Sequence, residues 1–280
     1  MIEITDIAEL RGWLGDERRA GRRIGFVPTM GALHEGHLRL VDEARHRADL
    51  VVMSIFVNPL QFGPKEDLSR YPRDLARDRA LASARGVDLL FVPSVEAMYP
   101  PGAETRVVPG AAAERWEGAV RPGHFAGVLT VVAKLFHLVG PDVACFGQKD
   151  IQQFVLIRKM VRDLDLPVEL VLVPTVRDTD GLALSSRNVY LSAEEREAAL
   201  AIPAALEAAV AAWRGGERSG KRLEVIVGER LAGSERVVAD YIAVVEPDGL
   251  TPAGTAGAGT IIAIAARVGT TRLIDNVILG

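Results

Sequence analysis

The sequence of 280 residues contains one cysteine, Cys145, so no disulfide bond can form within the chain. A chain without disulfide bonds suits a reducing compartment, and we predict a cytoplasmic protein. Cys145 lies in the apolar run 143–146, where a buried packing residue is a simpler interpretation than a reactive thiol. The first residues include acidic side chains and no basic leader before an apolar stretch, so we expect no secretory signal.

Long apolar runs and long basic runs are also missing from the sequence. Apolar stretches such as 50–57 are too short to span a bilayer, which argues against a membrane protein. The net charge is -4, and no basic run provides the Lys/Arg footprint that nucleic-acid backbones require. We therefore expect small-molecule partners, with neither nucleic acid nor membrane bound.

The remaining composition is typical of a globular protein with a sizeable core. Hydrophobic residues make up 49% of the chain and charged residues 25%. A length of 280 residues exceeds the commonest size of a single domain, which favours one large α/β domain or a medium domain with a smaller one. We predict two domains, 1–175 and 176–280.

Residues 24–173 alternate short apolar runs with segments of helical period, which is the pattern of βαβ units. Continuous apolar runs suit parallel strands that are covered on both faces. We therefore predict a doubly wound parallel sheet, a Rossmann-like nucleotide-binding domain, in the first part of the chain. The predicted strands are 24–27, 50–57, 87–92, 143–146 and 168–173, and the predicted helices are 37–48, 74–84, 125–139 and 151–163.

The pattern changes after Pro174. An Ala/Glu-rich helical stretch covers 193–213, and a second helix is predicted near 222–231. Three strand-like runs then follow closely enough for antiparallel pairing, at 240–245, 260–268 and 272–279. We predict that this part forms a smaller α+β domain with a short antiparallel sheet, and that it covers the functional site.

The most informative stretch is PTMGALHEGH at 28–37, between the first βαβ strand and its helix, where open α/β sheets bind ligands. Gly31 and Gly36 let the backbone approach a phosphate closely, and the following helix offers its N-terminal amides to anions. His34 and His37 are three residues apart, so both imidazoles can face the bound group. The alternatives are a zinc site or incidental surface residues, but no thiol or third histidine lies nearby at metal-ligand spacing.

The element His-x-Gly-His after a glycine-containing turn resembles the nucleotide-binding signature of nucleotidylyltransferases and class I aminoacyl-tRNA synthetases. Five further motifs narrow the resemblance to the pantothenate synthetase family, whose order they follow. They are FVNPLQF at 56–62, YPR at 71–73, RPGHF at 121–125, FGQKDIQQ at 146–153 and SSRN at 185–188. The resemblance covers 28–188, so architecture alone supports the C-terminal third.

That resemblance implies an ATP-dependent ligase of pantothenate and coenzyme A biosynthesis. ATP and pantoate form pantoyl adenylate and release pyrophosphate, after which β-alanine displaces AMP to give pantothenate. Carboxylate attack on the α-phosphate develops negative charge, so catalysis consists largely of positioning and cationic stabilisation. The resemblance further implies ATP as a substrate, Mg²⁺ as a cofactor and a homodimer.

The resemblance also assigns individual residues. Donors and positive charge for catalysis come from His34, His37, Lys149 and Arg187. The implied ATP-binding residues are Met30, His34, His37, Gly147, Lys149, Asp150, Ser185, Ser186 and Arg187. Neutral amides suit the hydroxyl-bearing pantoate because they both donate and accept hydrogen bonds. The implied pantoate-binding residues are Asn58, Gln61, Gln153 and His124.

Several of these residues also have ordinary structural interpretations. Lys149 could be a solvated lysine at a helix start, and Ser185 and Ser186 could belong to a loop that caps a helix. His124 could make a hydrogen bond at the start of the apolar helix that follows it. These alternatives remain open at the level of the sequence.

The metal ligand and the cover of the site are two further expectations. Mg²⁺ often takes only one or two protein ligands, and Asp78 is the candidate. Family members often have an acidic cluster after Tyr-Pro-Arg, whereas DLARD at 74–78 places a basic residue inside it, so a solvated Asp78 is the alternative. Residues 63–77 contain almost nothing to bury, which predicts a mobile cover over the site.

Two rival functions remain compatible with the residues. A nucleotidylyltransferase that transfers AMP or CMP would use the same histidines, but it requires basic residues for a phosphorylated acceptor. Gln61 and Gln153 instead favour a hydroxy acid. A catalytically silent ATP-binding module would bind nucleotide without releasing pyrophosphate. The absence of an anticodon-sized appendage and of a basic stripe disfavours a tRNA-ligating enzyme.

Overall fold

The computed structural model describes residues 1–64, 66 and 68–280, which form two compact units. The N-terminal unit consists of Met1–Glu114, Gly118–Gly147 and Leu156–Pro174. The C-terminal unit consists of Arg115–Glu117, Gln148–Val155 and Thr175–Gly280. The chain therefore changes unit after Pro174, and two short earlier segments also belong to the C-terminal unit.

A six-stranded parallel sheet forms the centre of the N-terminal unit. Its strands are β1 (Ile2–Ile4), β2 (Ile24–Thr29), β3 (Leu50–Ile55), β4 (Leu89–Phe91), β5 (Val143–Gly147) and β6 (Glu169–Val173). Their order in the sheet is β1-β4-β3-β2-β5-β6. Because β2 pairs with β3 on one side and with β5 on the other, the strand order reverses at β2. A ligand site is expected at the carboxyl ends of the strands beside this switch point.

Helices follow the strands of this sheet. They are α1 (Ile7–Arg19), α2 (Glu35–Arg47), α3 (Leu75–Ala84), α4 (Val95–Met98), α5 (Glu117–Val120), α6 (His124–Val139) and α7 (Ile151–Asp163). All six residues of β3 are buried, as expected for a parallel strand covered on both faces. One cluster of the core joins Val41 of α2 to Met53 of β3 and Cys145 of β5.

The sequence pattern did not predict β1 and α1. Only Ile4 of β1 is buried, and the strand pairs with β4 at the edge of the sheet. An edge strand of three residues is too short for a period to be visible. α1 begins after Asp6, whose carboxylate accepts the first N–H groups of the helix, and it buries Leu10 and Leu14.

A three-stranded antiparallel sheet and three helices form most of the C-terminal unit. The helices are α8 (Ala193–Ala199), α9 (Ala201–Arg214) and α10 (Gly220–Ala232), and the strands are β7 (Val237–Val245), β8 (Ile261–Val268) and β9 (Thr271–Ile278). The strand order is β7-β8-β9, and Leu206, Leu223 and Ile264 contribute to its own core. The predicted fold class, a doubly wound parallel sheet with a smaller α+β part, is confirmed.

One predicted helix is divided in the structure. The single helix predicted over 193–213 is two helices, α8 and α9, which meet at Leu200. Pro203 lacks an N–H group, and its ring would clash with the carbonyl of Ala199 in one continuous helix. Within the described part of the chain, none of the helices combines the length and apolar character needed to cross a membrane.

Candidate functional site

A carboxylate from α3 holds the turn that follows β2. Asp78 accepts the N–H of Ala32 at Oδ2 (2.8 Å) and the N–H of Leu33 at Oδ1 (2.7 Å). Gly31, at φ +81°, permits this approach, since a Cβ there would lie 2.9 Å from Asp78 Oδ2. Asp78 is 1% exposed. The carboxylate therefore shapes the turn that leads to His34.

This arrangement argues against the metal-ligand role predicted for Asp78. A Mg²⁺ ligand must direct an oxygen lone pair at the ion. Both oxygens of this buried carboxylate are instead directed at backbone amides. In the described ranges, no group of three or more His, Cys, Asp or Glu side chains is arranged to hold a metal. Asp78 therefore has a structural role in this turn, and its coordination of Mg²⁺ stays a prediction.

The two histidines of the turn lie next to each other at the start of α2. Their ring centroids are 4.2 Å apart. His34 Nδ1 accepts the N–H of Gly36 at 3.1 Å, and His37 Nδ1 accepts the N–H of His34 at 3.4 Å, which makes a capping box. A neutral imidazole that accepts at Nδ1 carries its proton on Nε2. Each ring therefore presents an Nε2–H donor at the N-terminus of a helix, which suits a phosphate oxygen.

Two buried amides, Asn58 and Gln61, form a hydrogen-bonded pair after β3. Asn58 Nδ2 donates to Gln61 Oε1 and to the carbonyl oxygen of Gly127, both at 3.1 Å. Gln61 Nε2 lies 3.0 Å from Met30 Sδ, at the beginning of the histidine turn. The fold thus brings together three residues that the sequence predicts for substrate binding, from two separate motifs.

Tyr99 supports this pair from the other side. Its hydroxyl donates to Asn58 Oδ1 at 2.9 Å. Burial raises the pKa of Tyr99 to about 12, so the hydroxyl remains protonated and can donate at neutral pH. No feature of the sequence pointed to Tyr99, because it follows a short helix far from every motif.

His124 lies at the start of α6, and its Nδ1 is 2.8 Å from the carbonyl oxygen of Gln61. Arg121 Nη1 lies 3.1 Å from His124 Nε2, and Arg121 also pairs with Glu66 through two N–O contacts of 2.9 and 2.6 Å. The hydrogen bonds from Arg121 hold the pKa of the Glu66 carboxyl below its usual range. His124 therefore lies beside Gln61, and its contact with pantoate stays a prediction.

The segment 63–77, predicted as a mobile cover, is described in part. Lys65 and Asp67 lie outside the described residues. Tyr71 is 8% exposed, and its ring packs edge-on against Phe62 with centroids 6.0 Å apart. The expectation that this segment buries almost nothing is therefore wrong at Tyr71. Its opening and closing stay a prediction.

Lys149 lies in the 3₁₀ turn Gln148–Asp150, which follows Gly147 at the end of β5. The turn and Gln153 of α7 belong to the C-terminal unit, although the sequence places them in the domain 1–175. Asn276 of β9 donates from Nδ2 to the carbonyl oxygens of Gln148 (2.9 Å) and Lys149 (3.0 Å). One strand of the antiparallel sheet therefore holds the lysine turn.

Ser185 caps the short 3₁₀ helix Ser186–Tyr190 by accepting the N–H of Arg187 at 3.2 Å. The capping interpretation is thus correct for its local role, while its contact with ATP stays a prediction. The segment before this loop is held through Arg177, whose guanidinium makes two hydrogen bonds to Asp275 at 2.6 and 3.0 Å. Asp275 and its neighbour Asn276 on β9 therefore hold two separate segments of the C-terminal unit, and the second of them is the lysine turn.

Cys145 is buried in β5, as the packing interpretation predicted. Burial raises the pKa of its thiol to about 12. A thiol nucleophile must be ionised to react, and this one stays protonated at neutral pH. Cys145 therefore plays no part in covalent catalysis.

Known proteins resemble this chain over nearly its full length. A family model described as pantoate-beta-alanine ligase matches residues 3–278. Pantothenate synthetase of Heliobacterium modesticaldum is 52% identical over 276 residues, which is 99% of this chain and 98% of that protein. The crystal structure of pantothenate synthetase from Thermus thermophilus has a TM-score of 0.93 and 54% identity, with 99% of each chain covered.

A second solved structure contains ligands. Pantoate-beta-alanine ligase from Francisella tularensis, complexed with β-γ ATP and β-alanine, has a TM-score of 0.81 and 34% identity, covering 99% of this chain and 97% of that one. The resemblance drawn from the sequence motifs is thus confirmed over the whole chain rather than over 28–188 alone. The chain belongs to the pantoate-beta-alanine ligase family.

Proposed function

We propose that the protein condenses pantoate with β-alanine to form pantothenate, using ATP and passing through pantoyl adenylate. One observation carries the proposal: Gln61 Nε2 lies 3.0 Å from Met30 Sδ, at the start of the turn that ends in His34 and His37. The amides proposed to bind the hydroxy acid and the turn proposed to bind phosphate therefore lie next to each other in the N-terminal unit. The Francisella relative, complexed with β-γ ATP and β-alanine, supports the same substrates for this chain.

In the first step, a carboxylate oxygen of pantoate attacks the α-phosphorus of ATP, and the bond to pyrophosphate breaks. Negative charge grows on the phosphoryl oxygens and on the leaving pyrophosphate. His34 and His37 donate Nε2–H hydrogen bonds to these oxygens. The family resemblance assigns Lys149 and Arg187 the role of supplying positive charge. Donors aimed in advance at developing charge are the usual source of stabilisation in such a reaction.

Gln61 orients pantoate for that attack. The contact with Asn58 sets the orientation of this amide, and Nε2 has a second N–H, besides the one directed at Met30 Sδ, that can donate to a ligand. Gln61 therefore recognises an acceptor, a carboxylate or hydroxyl oxygen of the acid. Gln153 of the C-terminal unit is the second amide of the proposal, with a role carried over from the family motif.

In the second step, the amino nitrogen of β-alanine attacks the acyl carbon of the adenylate. The carbon–oxygen bond to AMP breaks, and the nitrogen loses its proton as the amide forms. No covalent bond to the enzyme is required. A covalent acyl-enzyme would need an activated thiol or hydroxyl with a base beside it, and the protonated Cys145 does not provide one.

The proposal extends to Mg²⁺ and a homodimer, which the family resemblance implies, and to the cytoplasm, which was predicted from the single cysteine. Mg²⁺, when bound with ATP, would neutralise part of the phosphate charge. No step is assigned to a protein ligand of the metal, because both oxygens of the candidate Asp78 accept backbone N–H groups.

An exchange assay tests the stepwise mechanism. The enzyme is incubated with ATP, Mg²⁺, pantoate and labelled pyrophosphate, without β-alanine, and label in ATP is measured. We expect exchange that depends on pantoate, because adenylation is reversible and precedes the amine. A panel of other small carboxylic acids serves as the control for substrate identity.

Each rival function gives a different result in this assay. Exchange that strictly requires β-alanine would contradict the stepwise order. Exchange with another acid but not with pantoate would keep the chemistry and change the substrate. A silent ATP-binding module would bind ATP and show no exchange with any acid. A nucleotidylyltransferase would show exchange with a phosphorylated acceptor instead.

A further inference from the structure

The turn that carries Lys149 has little of its own to hold it in place. It is a 3₁₀ helix of three residues, Gln148–Asp150, and none of the three is buried. A lysine has a long, flexible side chain, so its ammonium can be aimed only if its backbone is fixed. Another contact within the C-terminal unit must therefore fix the backbone of Lys149.

Asn276 provides it from the middle of β9. Its Nδ2 donates to the carbonyl oxygens of Gln148 and Lys149 at 2.9 and 3.0 Å, and its Oδ1 accepts from Gln148 Nε2 at 3.2 Å. Because a backbone carbonyl can only accept, the orientation of the Asn276 amide is determined. Asn276 is 1% exposed, so these bonds form away from solvent and are costly to lose.

The strand behind this contact is itself well fixed. Asn276 pairs with Ala263 of β8 in a regular antiparallel ladder. Its neighbour Asp275 is 3% exposed, makes two hydrogen bonds to Arg177, and accepts the N–H of Asn276 at Oδ1. The lysine turn is therefore attached to a sheet rather than to a loop, which is the kind of support that an aimed charge requires.

We infer that Asn276 is a positioning residue for catalysis, which acts by holding the Gln148–Lys149 backbone so that the Lys149 ammonium is aimed at the reacting phosphates. This inference rests on the phosphate-stabilising role proposed for Lys149. Asn276 itself touches no substrate in this proposal. The effect of Asn276 on turnover therefore depends on the presence of Lys149.

A double-mutant cycle tests that dependence. Asn276→Asp keeps the shape of the side chain and removes both N–H donors, so a carboxylate oxygen faces two carbonyl oxygens. Turnover is measured by pantoate-dependent pyrophosphate exchange, and thermal unfolding is measured in parallel. We expect a loss of about tenfold to a hundredfold in kcat with Lys149 present, since small misplacement of a catalytic group costs that much. In the Lys149→Ala background the same change should cost less than about twofold.

Two further variants support the cycle. Gln148→Met removes the amide that donates to Asn276 Oδ1, and an expected loss of about fivefold corresponds to one hydrogen bond. If Asn276→Asp does not fold, the cycle is run with Gln148→Met. Thr260→Val is the matched control, because Thr260 is 2% exposed in the same unit and its hydroxyl accepts the N–H of Gly257 in a different turn. It should lower the unfolding temperature and leave kcat unchanged.

The outcomes separate this inference from the function it rests on. Asn276→Asp could lower kcat by the same factor in the native protein and in the Lys149→Ala variant, with Lys149→Ala itself impaired. That result would overturn the positioning role of Asn276 and leave the role of Lys149 intact. Near-normal turnover of Lys149→Ala would overturn both assignments. A loss of kcat that Asn276→Asp causes only when Lys149 is present, with kcat of Thr260→Val unaffected, would establish Asn276 as the residue that positions Lys149.

Discussion

Asn58 donates a hydrogen bond from Nδ2 to Oε1 of Gln61, and this contact sets the orientation of the Gln61 amide. The orientation of the Asn58 amide is not arbitrary. Its Nδ2 also faces the carbonyl oxygen of Gly127, which can only accept, and its Oδ1 accepts from the Tyr99 hydroxyl. These contacts therefore fix the orientation of both amides, and Gln61 has an Nε2–H donor that suits the oxygens of a hydroxy acid.

Tyr99→Phe should weaken pantoate binding without affecting ATP. The substitution keeps the buried ring and removes the donor to Asn58 Oδ1, so the orientation of the amide pair loosens. One lost hydrogen bond is worth about 1 kcal/mol, so the KM for pantoate should rise about fivefold. Steady-state kinetics with each substrate varied in turn measures this. The KM for ATP is the internal control, and an equal rise in both constants would show a general defect instead.

Lys149→Ala should lower turnover far more than stability. The change removes a cation from the reacting phosphates, and one aimed stabilising group is worth about a hundredfold to a thousandfold in kcat. Lys221→Ala is a matched control in the same unit, because the Lys221 side chain is 84% exposed and pairs only with Glu224 on its own helix among the residues described. Turnover within about twofold of the native enzyme would rule out the role of Lys149.

Asp78→Asn should destabilise the fold by about 2 kcal/mol, because one carboxylate oxygen that accepts a buried N–H becomes an NH₂ group that opposes it. Asp74→Asn is the matched control on the same helix, where Asp74 accepts the N–H of Arg77 as an N-cap and asparagine is an equally good cap. Chemical denaturation measures both.

A structural Asp78 and a metal-binding Asp78 also differ in kinetics. If Asp78 holds the turn, Asp78→Asn lowers kcat with little change in the Mg²⁺ concentration needed for half-maximal activity. A rise of tenfold or more in that concentration, without loss of stability, would restore the metal-ligand interpretation.

The ion pair between Glu66 and Arg121 should stabilise the protein at neutral pH and lose its effect in acid. The hydrogen bonds from Arg121 lower the pKa of Glu66 in the folded state, so the stabilisation is present above the usual carboxyl pKa of 4.5. It disappears as pH falls through the lowered value. Because both side chains are partly exposed, its size should be about 1 kcal/mol or less.

Unfolding free energies of the native protein and of Glu66→Gln, measured from pH 7 down to about pH 3, check this pH dependence. The two curves should lie apart at pH 7 and converge in acid. Curves that remain parallel over the whole range would mean that the charge of Glu66 does not contribute to stability.

Local patterns predicted most of the secondary structure. α7 begins and ends at the predicted residues, because apolar residues recur at helical spacing within Ile151–Asp163. α2 begins two residues earlier than predicted, at Glu35, because the side chain of His34 acts as an unusual cap. The edge strand β1 escaped prediction because its stability comes from pairing with β4, which no local pattern records.

The sequence by itself determined the family, the doubly wound sheet, and the identity of the histidine turn, the amide motif and the lysine turn. These follow from residue types, spacing and apolar period, which are local properties of the chain. Only the tertiary structure decided which polar atoms form hydrogen bonds with each other. Asp78 reaches the amide of Ala32 across 46 residues, and Asn276 reaches the carbonyl of Lys149 across 127. Spacing along the chain does not set the distance between such segments, so only the packed sheets could show that Asp78 holds a turn and that Asn276 holds a lysine.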